Sequence, residues 1–274
     1  DGPYAKRPGV DQIAQGLGRL MSVTGPPGSG PWRVGVPITD LCAGLYLAQG
    51  IMAALLERDQ SGQGQWVQTS LLEAMVAMLD FQATRWLMGG EVAPQAGNDH
   101  PTGFPTGVFP VKEGLINIAA SGDRMFRDFL RVIDAEELAD DERFAKPRDR
   151  AVNRDELRDL VSAKTRHFGA EELIERLNAA GVPSGPILSI DQVFANPQVR
   201  HLELAQTVQS PEHGPLTLVR SPVRLSRTST SLRRAAPAPG GETKQVLREY
   251  GYTEAEIAAL QDSGAAGVKA AASA

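Results

Sequence analysis

The sequence predicts an α/β protein. Three observations carry this. A long Ala- and Leu-rich run at residues 41–56 has the composition of a helix. Two short β-type runs, 107–110 and 115–119, flank Lys112-Glu113-Gly114 and are followed by an amphipathic helical pattern. Charged helical segments at 154–165 and 170–180 then lead to an apolar stretch at 182–190 that reads as a returning strand.

The elements follow in order. Residues 1–24 read as the end of a loop feeding a short helix over 11–20. Residues 25–31, Gly-Pro-Pro-Gly-Ser-Gly-Pro, form a turn-rich break with no following Gly-Lys-Ser/Thr, so no phosphate loop is expected. Pro37 disfavours helix for the residue before it, and Asp40 stands where an N-cap serves the 41–56 helix. Arg58 and Gly62 suit its far end. A helix N-terminus favours negative charge and carries unpaired N–H groups. Gly44, one turn on from Asp40, leaves bare backbone beside the carboxylate.

Residues 65–69 read as a short strand with Trp66 or Val67 facing a core. Ser70 and Glu73 have capping-box spacing and open a helix continuing to about Trp86. Phe126, Phe129, Leu130 and Ile133 lie on one face of a helix that starts at Ser121 or Asp123. Gly181 ends the 170–180 helix, and Pro183 and Pro186 interrupt the strand after it. Residues 216–225 alternate enough for an edge strand. The basic stretch from Arg220 to Arg234 is either a solvated face or an anion contact. Two short helices flank Gly251, and the Ala-rich tail after Ser263 lacks a core-forming pattern.

Composition narrows the function. The 274-residue chain is 42% hydrophobic, with 28 basic and 33 acidic residues for a formal charge of −5, which disfavours nucleic acid. The one cysteine, Cys42, excludes an internal disulfide and suits a cytoplasmic location. The four histidines show no metal-ligand spacing, so no metal is expected. The 41–56 run is shorter than the roughly 18 residues of a bilayer span, so no membrane segment or signal peptide is expected.

Asp40 before an apolar helix has two readings, a structural cap and a nucleophile. Cys42 is a rival nucleophile by position, without an identifiable His partner. The surrounding motifs bear on the choice. Gly2-Pro3-Tyr4, Arg7-Pro8-Gly9-Val10-Asp11-Gln12-Ile13-Ala14-Gln15, Ser22-Val23-Thr24-Gly25, Asp40 to Gly44, Ala53 to Leu56 and Gly62 to Val67 come in that order. Gly97-Asn98, His100-Pro101, Gly107 to Pro110, Gly241-Glu242 and Gly251-Tyr252-Thr253 follow. In order and spacing the chain resembles the class III CoA-transferases, the family of formyl-CoA and carnitine-CoA transferases.

That resemblance implies an N-terminally truncated CoA-transferase, with Asp40 as covalent nucleophile forming an aspartyl-CoA thioester. Coenzyme A and acyl-CoA would be substrates, with a small carboxylic acid as acceptor. Arg7, Pro8, Gly9, Val10 and Asp11 match a CoA-contacting stretch; Arg7 is readable as a phosphate contact or equally as a surface residue, and Asp11, which aligns with an acidic residue near the nucleophile in relatives, is equally readable as an N-cap. His100 to Gly103 stands where relatives carry a glycine-rich loop, and His100 is either a substrate contact or simply exposed. The resemblance further implies a partial Rossmann-like large domain at 1–90, a linker at 91–105 and a small α/β domain at 106–190. A second linker at 191–240 would lead to C-terminal helices at 241–274 that return to the large domain, all within an interlocked homodimer. Two alternatives stay open: a 2-methylacyl-CoA racemase of the same family, disfavoured because Val10 replaces that branch's His, and a non-catalytic truncated interaction protein.

Overall fold

A computed structural model describes residues 2–210 and 213–267. The chain divides into two compact units, the first ending at Ile187 and the second beginning at Leu188.

The first unit opens with helices α1 (Asp11–Leu17), α2 (Leu20–Val23), α3 (Ile38–Ser61), α4 (Leu71–Ala77) and α5 (Phe81–Gly89). Helices α1, α3 and α4 pack on one another. Gly18, just past α1, allows a close approach to α4, since a Cβ there would sit 2.4 Å from Met75 Cγ. Gly50 of α3 likewise faces Val67, 2.9 Å from where its Cβ would stand.

Helix α3 corrects the sequence reading at its start and agrees with it that Gly62 marks the end. It begins at Ile38, with Pro37 as its N-cap, so Asp40 lies inside the first turn and is not the cap. It runs 24 residues to Ser61, and Gly62 ends it in a left-handed conformation with its N–H on the Arg58 carbonyl. By length and composition it is long and apolar enough to cross a membrane, which the shorter 41–56 run does not suggest. Much of its apolar surface is open: Leu41, Leu45, Ile51, Met52, Leu55 and Leu56 are exposed, Leu45 to 72%.

Two further expectations change. Residues 65–69 form no strand; Trp66 is 87% exposed, and it is Val67 that packs inward, on Gly50. The helix opened by Ser70 breaks after Ala77, because Asp80 adopts a positive φ of 47° before α5 starts. Ser70 caps as expected, its hydroxyl accepting the Glu73 N–H at 3.1 Å.

Beyond a stretch without regular structure come β1 (Thr106–Pro110), β2 (Leu115–Ala119), α6 (Asp123–Val132) and a 3₁₀ turn at Glu136–Ala139. Helices α7 (Pro147–Val152), α8 (Arg154–Thr165) and α9 (Ala170–Ala179) precede β3 (Ser184–Pro186). The sheet has the order β1-β2-β3, antiparallel throughout, with Phe109 opposite Ile116 and Ile118 opposite Ser184. Alternate residues of β1 and β2 face inward, as a half-buried strand requires. Phe109, Ile116 and Ile118 meet Phe126, Phe129 and Leu130 of α6, Leu157 and Val161 of α8, and Leu173 and Leu177 of α9. Burying each such side chain contributes about 1.5–3 kcal/mol. The expected returning strand is therefore real but only three residues long, its pairing limited by Pro183 and Pro186.

The second unit holds α10 (Ile190–Ala195), α11 (Pro197–His201), β4 (Ala205–Ser210), β5 (Gly214–Val219), α12 (Thr243–Glu249) and α13 (Glu254–Asp262). Strands β4 and β5 pair antiparallel, from Ala205 opposite Val219 to Ser210 opposite Gly214. The expected 216–225 strand ends early, because Arg220 turns its side chain back onto the carbonyls of Leu202 and Glu203. Arg224 bonds the Leu202 carbonyl and Arg234 pairs with Glu242, so this basic stretch is partly spent on internal ties. Gly251, at φ 87°, separates α12 from α13 as its sequence position suggests. The expectation of an unstructured tail falls largely on residues 268–274, outside the described residues.

Candidate active site

A cleft of about 740 Å³ lies where α1, α3 and α4 meet. Its wall takes Tyr4, Arg7, Pro8 and Gly9 from the N-terminal segment, Ile13 and Leu17 from α1, Ala43 and Leu47 from α3, and Thr69 to Leu72 at the start of α4. The mix of apolar wall and few polar groups is that of a small-molecule site. Arg7 lies over the Tyr4 ring, 3.8 Å from its centroid, and forms no ion pair among the described residues. Its charge is therefore free to meet an anion.

Asp40 is not itself among the residues that line the cleft, but it belongs to the same face of α3 as Ala43 and Leu47, which do. Ala43 follows it by three positions and Leu47 by seven, which stacks the three along one stripe. At 1.5 Å rise per residue, Asp40 sits roughly 4.5 Å along the axis from Ala43. It is exposed, and its carboxylate accepts no hydrogen bond among the described residues. Its own N–H, the third of the helix, has no backbone partner among the described residues, whereas the Leu41 N–H already reaches the Pro37 carbonyl. The carboxylate and an unpaired donor thus issue from one residue. A Cβ added to Gly44 would meet nothing within 4 Å, so the approach to Asp40 over that side is open.

The remaining expected residues separate. Val10 caps α1 and is exposed but does not line the cleft. Asp11 is the first residue of α1 and not its N-cap; it is buried on another side of that helix and receives four hydrogen bonds. Cys42 is buried, so its thiol is turned away from the open side that Asp40 occupies. His100 lines a different cleft of about 630 Å³, bordered by Gly97 to Pro101 and by strand residues Thr106, Asn117 and Ser184. Its Nδ1 accepts the Gly103 N–H at 3.0 Å and the Thr102 N–H at 3.3 Å, and its ring stacks on Phe81. These bonds hold the His100–Gly103 turn in one shape and place the neutral ring's proton on Nε2. Among the described residues no group of three or more His, Cys, Asp or Glu side chains could hold a metal ion.

Gln15, Arg33 and Thr39, which surround Asp11, carry no sequence motif that singles them out as a group. The one local signal is the Asp11–Gln15 spacing of four, which puts both on one helix face.

The family description CoA-transferase family III matches residues 1–243. The chain belongs to CoA-transferase family III. Among its family III relatives, the succinate–glutarate CoA-transferase of Agrobacterium fabrum is 34% identical over 248 residues, covering 90% of this chain and 62% of that protein. The succinyl-CoA:glutarate CoA-transferase of Homo sapiens is 32% identical over 264 residues, covering 96% of this chain and 60% of that protein. A solved CAIB/BAIF family protein from Brucella suis superposes with a TM-score of 0.77 at 32% identity, over 91% of this chain and 65% of that one. The family III chain described here thus spans about three fifths of the length of the curated relatives it matches.

Proposed function

We propose that this protein is a CoA-transferase that moves CoA from an acyl-CoA donor to a carboxylic acid acceptor, with Asp40 as the covalent nucleophile. One observation carries the reading. Asp40 is exposed and unpaired on the stripe of α3 that also lines the Arg7–Gly9 cleft, in a chain of this family. The names of the relatives support a small dicarboxylic acid, of the size of succinate or glutarate, as donor or acceptor acid.

The chemistry uses Asp40 four times. Its carboxylate attacks the donor thioester carbonyl, the C–S bond breaks, and a mixed anhydride and CoA thiolate result. The thiolate attacks the aspartyl carbonyl of the anhydride, releasing the donor acid as a carboxylate and leaving an aspartyl-CoA thioester. The acceptor carboxylate attacks that thioester, giving a second anhydride and expelling CoA thiolate again. The thiolate then attacks the acceptor carbonyl, forming the new acyl-CoA and freeing Asp40. The cycle consumes no net proton or electron. The unpaired Asp40 N–H suits an oxyanion forming beside it. Arg7 suits a CoA phosphate, and Pro8 and Gly9 let the chain run close to the bound molecule. Cytoplasmic location and an interlocked homodimer, with linkers at 91–105 and 191–240, belong to the same proposal. The open apolar surface of α3 supports a covering protein surface, since Asp40, Gln49, Glu57 and Arg58 lie on several sides of that helix.

The test is hydroxylamine trapping on the full chain. Incubation with succinyl-CoA and hydroxylamine should convert Asp40 to its hydroxamate, read by intact mass and peptide mapping, and Asp40→Asn should abolish both trapping and exchange. A hydroxamate at another residue, or undiminished exchange in Asp40→Asn, overturns the assignment.

A further inference from the structure

We propose that Asp11 is a positioning residue for the reaction: from α1 it caps the first turn of α3 and so fixes where the Asp40 side chain and N–H point. The proposal rests on the reading of Asp40 as nucleophile.

Helix α3 has no cap of its own. Pro37, at its N-cap, has no side-chain hydrogen-bonding group and adopts neither helical nor extended backbone. The first N–H groups of a helix need outside acceptors. The Ile38 N–H finds the Val36 carbonyl at 2.8 Å. The Thr39 N–H donates to Asp11 Oδ1 at 3.1 Å, and the Thr39 hydroxyl donates to the same oxygen at 2.9 Å. Asp11 is 28 residues upstream, so a distant helix supplies the cap. The residue after Thr39 is Asp40.

The brace has a second half. Asp11 Oδ2 accepts from Gln15 Nε2 at 2.8 Å and from Arg33 Nη2 at 3.0 Å. Gln15 is fully buried; its Oε1 accepts the Val34 N–H and its amide donates to the Val36 carbonyl. The segment 33–39 is thus strapped along one face of α1 at Arg33, Val34, Val36 and Thr39. With four donors on its two oxygens, Asp11 has no lone pair aimed at the cleft, and it does not line it. Its effect on chemistry must therefore run through Thr39. Displacing the Thr39 turn displaces Asp40, and a misplacement of about 1 Å at a reacting group costs on the order of 10²-fold in rate.

The experiment compares Asp11→Ala, Thr39→Val, Thr39→Ser and Asp40→Asn on the full chain. Acyl-CoA exchange gives kcat and KM, and hydroxylamine trapping gives the rate and stoichiometry of the Asp40 hydroxamate. Positioning predicts that Asp11→Ala and Thr39→Val trap at full stoichiometry but at least about tenfold more slowly, with kcat falling alike and KM for acyl-CoA within about twofold. Thr39→Ser keeps the hydroxyl and should keep the wild-type rate. If Asp11→Ala proves insoluble, Thr39→Val decides. Three results overturn the proposal: wild-type rates in Thr39→Val, reduced stoichiometry with an unchanged rate per trapped site, or a raised KM at constant kcat, which would make Asp11 a CoA contact. Those failures leave the nucleophile intact, provided Asp40→Asn is inactive; an active Asp40→Asn removes the nucleophile instead.

Discussion

Asp11 and Thr39 are joined twice through a single oxygen, which takes both the amide hydrogen and the hydroxyl hydrogen of the threonine. Burial alone would push the Asp11 carboxyl up. The bonds from Thr39, Gln15 and Arg33 outweigh it and hold the carboxyl below the usual carboxylate range. Arg33 is 40% exposed, so solvent screens its charge and the hydrogen bonds carry most of the effect. A group depressed in the native state adds stability above its unfolded pKa of about 3.9 and loses it as pH falls through the native value. Urea unfolding of wild type and Asp11→Asn should therefore show a gap of roughly 1–3 kcal/mol at pH 7 that narrows below about pH 4. A gap constant down to pH 3 would contradict this.

Gly44 should separate stability from activity. Its α3 position is helical and a methyl there would meet nothing within 4 Å, so Gly44→Ala should gain roughly 0.5–1 kcal/mol by helix propensity. The same methyl stands one turn from Asp40 and narrows the approach of a thioester. A higher melting temperature together with a lower kcat/KM is expected from thermal unfolding and exchange assays.

Gly18→Ala should lower stability and binding together. The new Cβ would fall 2.8 Å from Met75 Cβ and 2.4 Å from Cγ, and Met75 is fully buried. Helices α1 and α4, which both line the cleft, must move apart. A loss of roughly 1–3 kcal/mol in unfolding free energy and weaker acyl-CoA binding by calorimetry are expected.

Arg150→Ala tests the small sheet's surroundings. The guanidinium is 1% exposed, donates to the carbonyls of Phe144 and Ser121, pairs with Asp123 at 2.8 Å and lies over Phe126. Truncation removes the donor from the buried Phe144 carbonyl and from the half-buried Ser121 carbonyl. A loss of roughly 1–3 kcal/mol in chemical denaturation is expected, with Arg150→Lys recovering only part of it.

Local pattern makes much of this fold readable. Phe126, Phe129 and Leu130 announce the core face of α6, and Gly181 and Gly251 mark chain reversals that only positive φ allows. The start of α3 is not legible locally because its cap is Asp11, and no window around Asp40 contains it. The strand expected at 65–69 has suitable residues, but among the described residues it has no partner to pair with. Strand β4 escapes a sequence reading because Ala205 to Ser210 carries only Val208 as a strongly apolar member, and its partner decides it. At the site, family motifs point to Arg7, Pro8, Gly9, Val10 and Asp11 and to Asp40; of the first five, Arg7, Pro8 and Gly9 line the cleft, and Val10 and Asp11 do not. The Gln15–Arg33–Thr39 brace depends on which backbone atoms face α1, which composition does not encode.

The bare side of α3 bears on how the molecule must be handled. Leucine and isoleucine side chains left in water along a rod of 24 residues make an adhesive strip. Purified alone and concentrated, the chain is expected to take up hydrophobic dyes and to self-associate as salt is raised. Masking that strip, by a binding protein or by leucine-to-glutamate changes at Leu45 and Leu56, should restore well-behaved solutions.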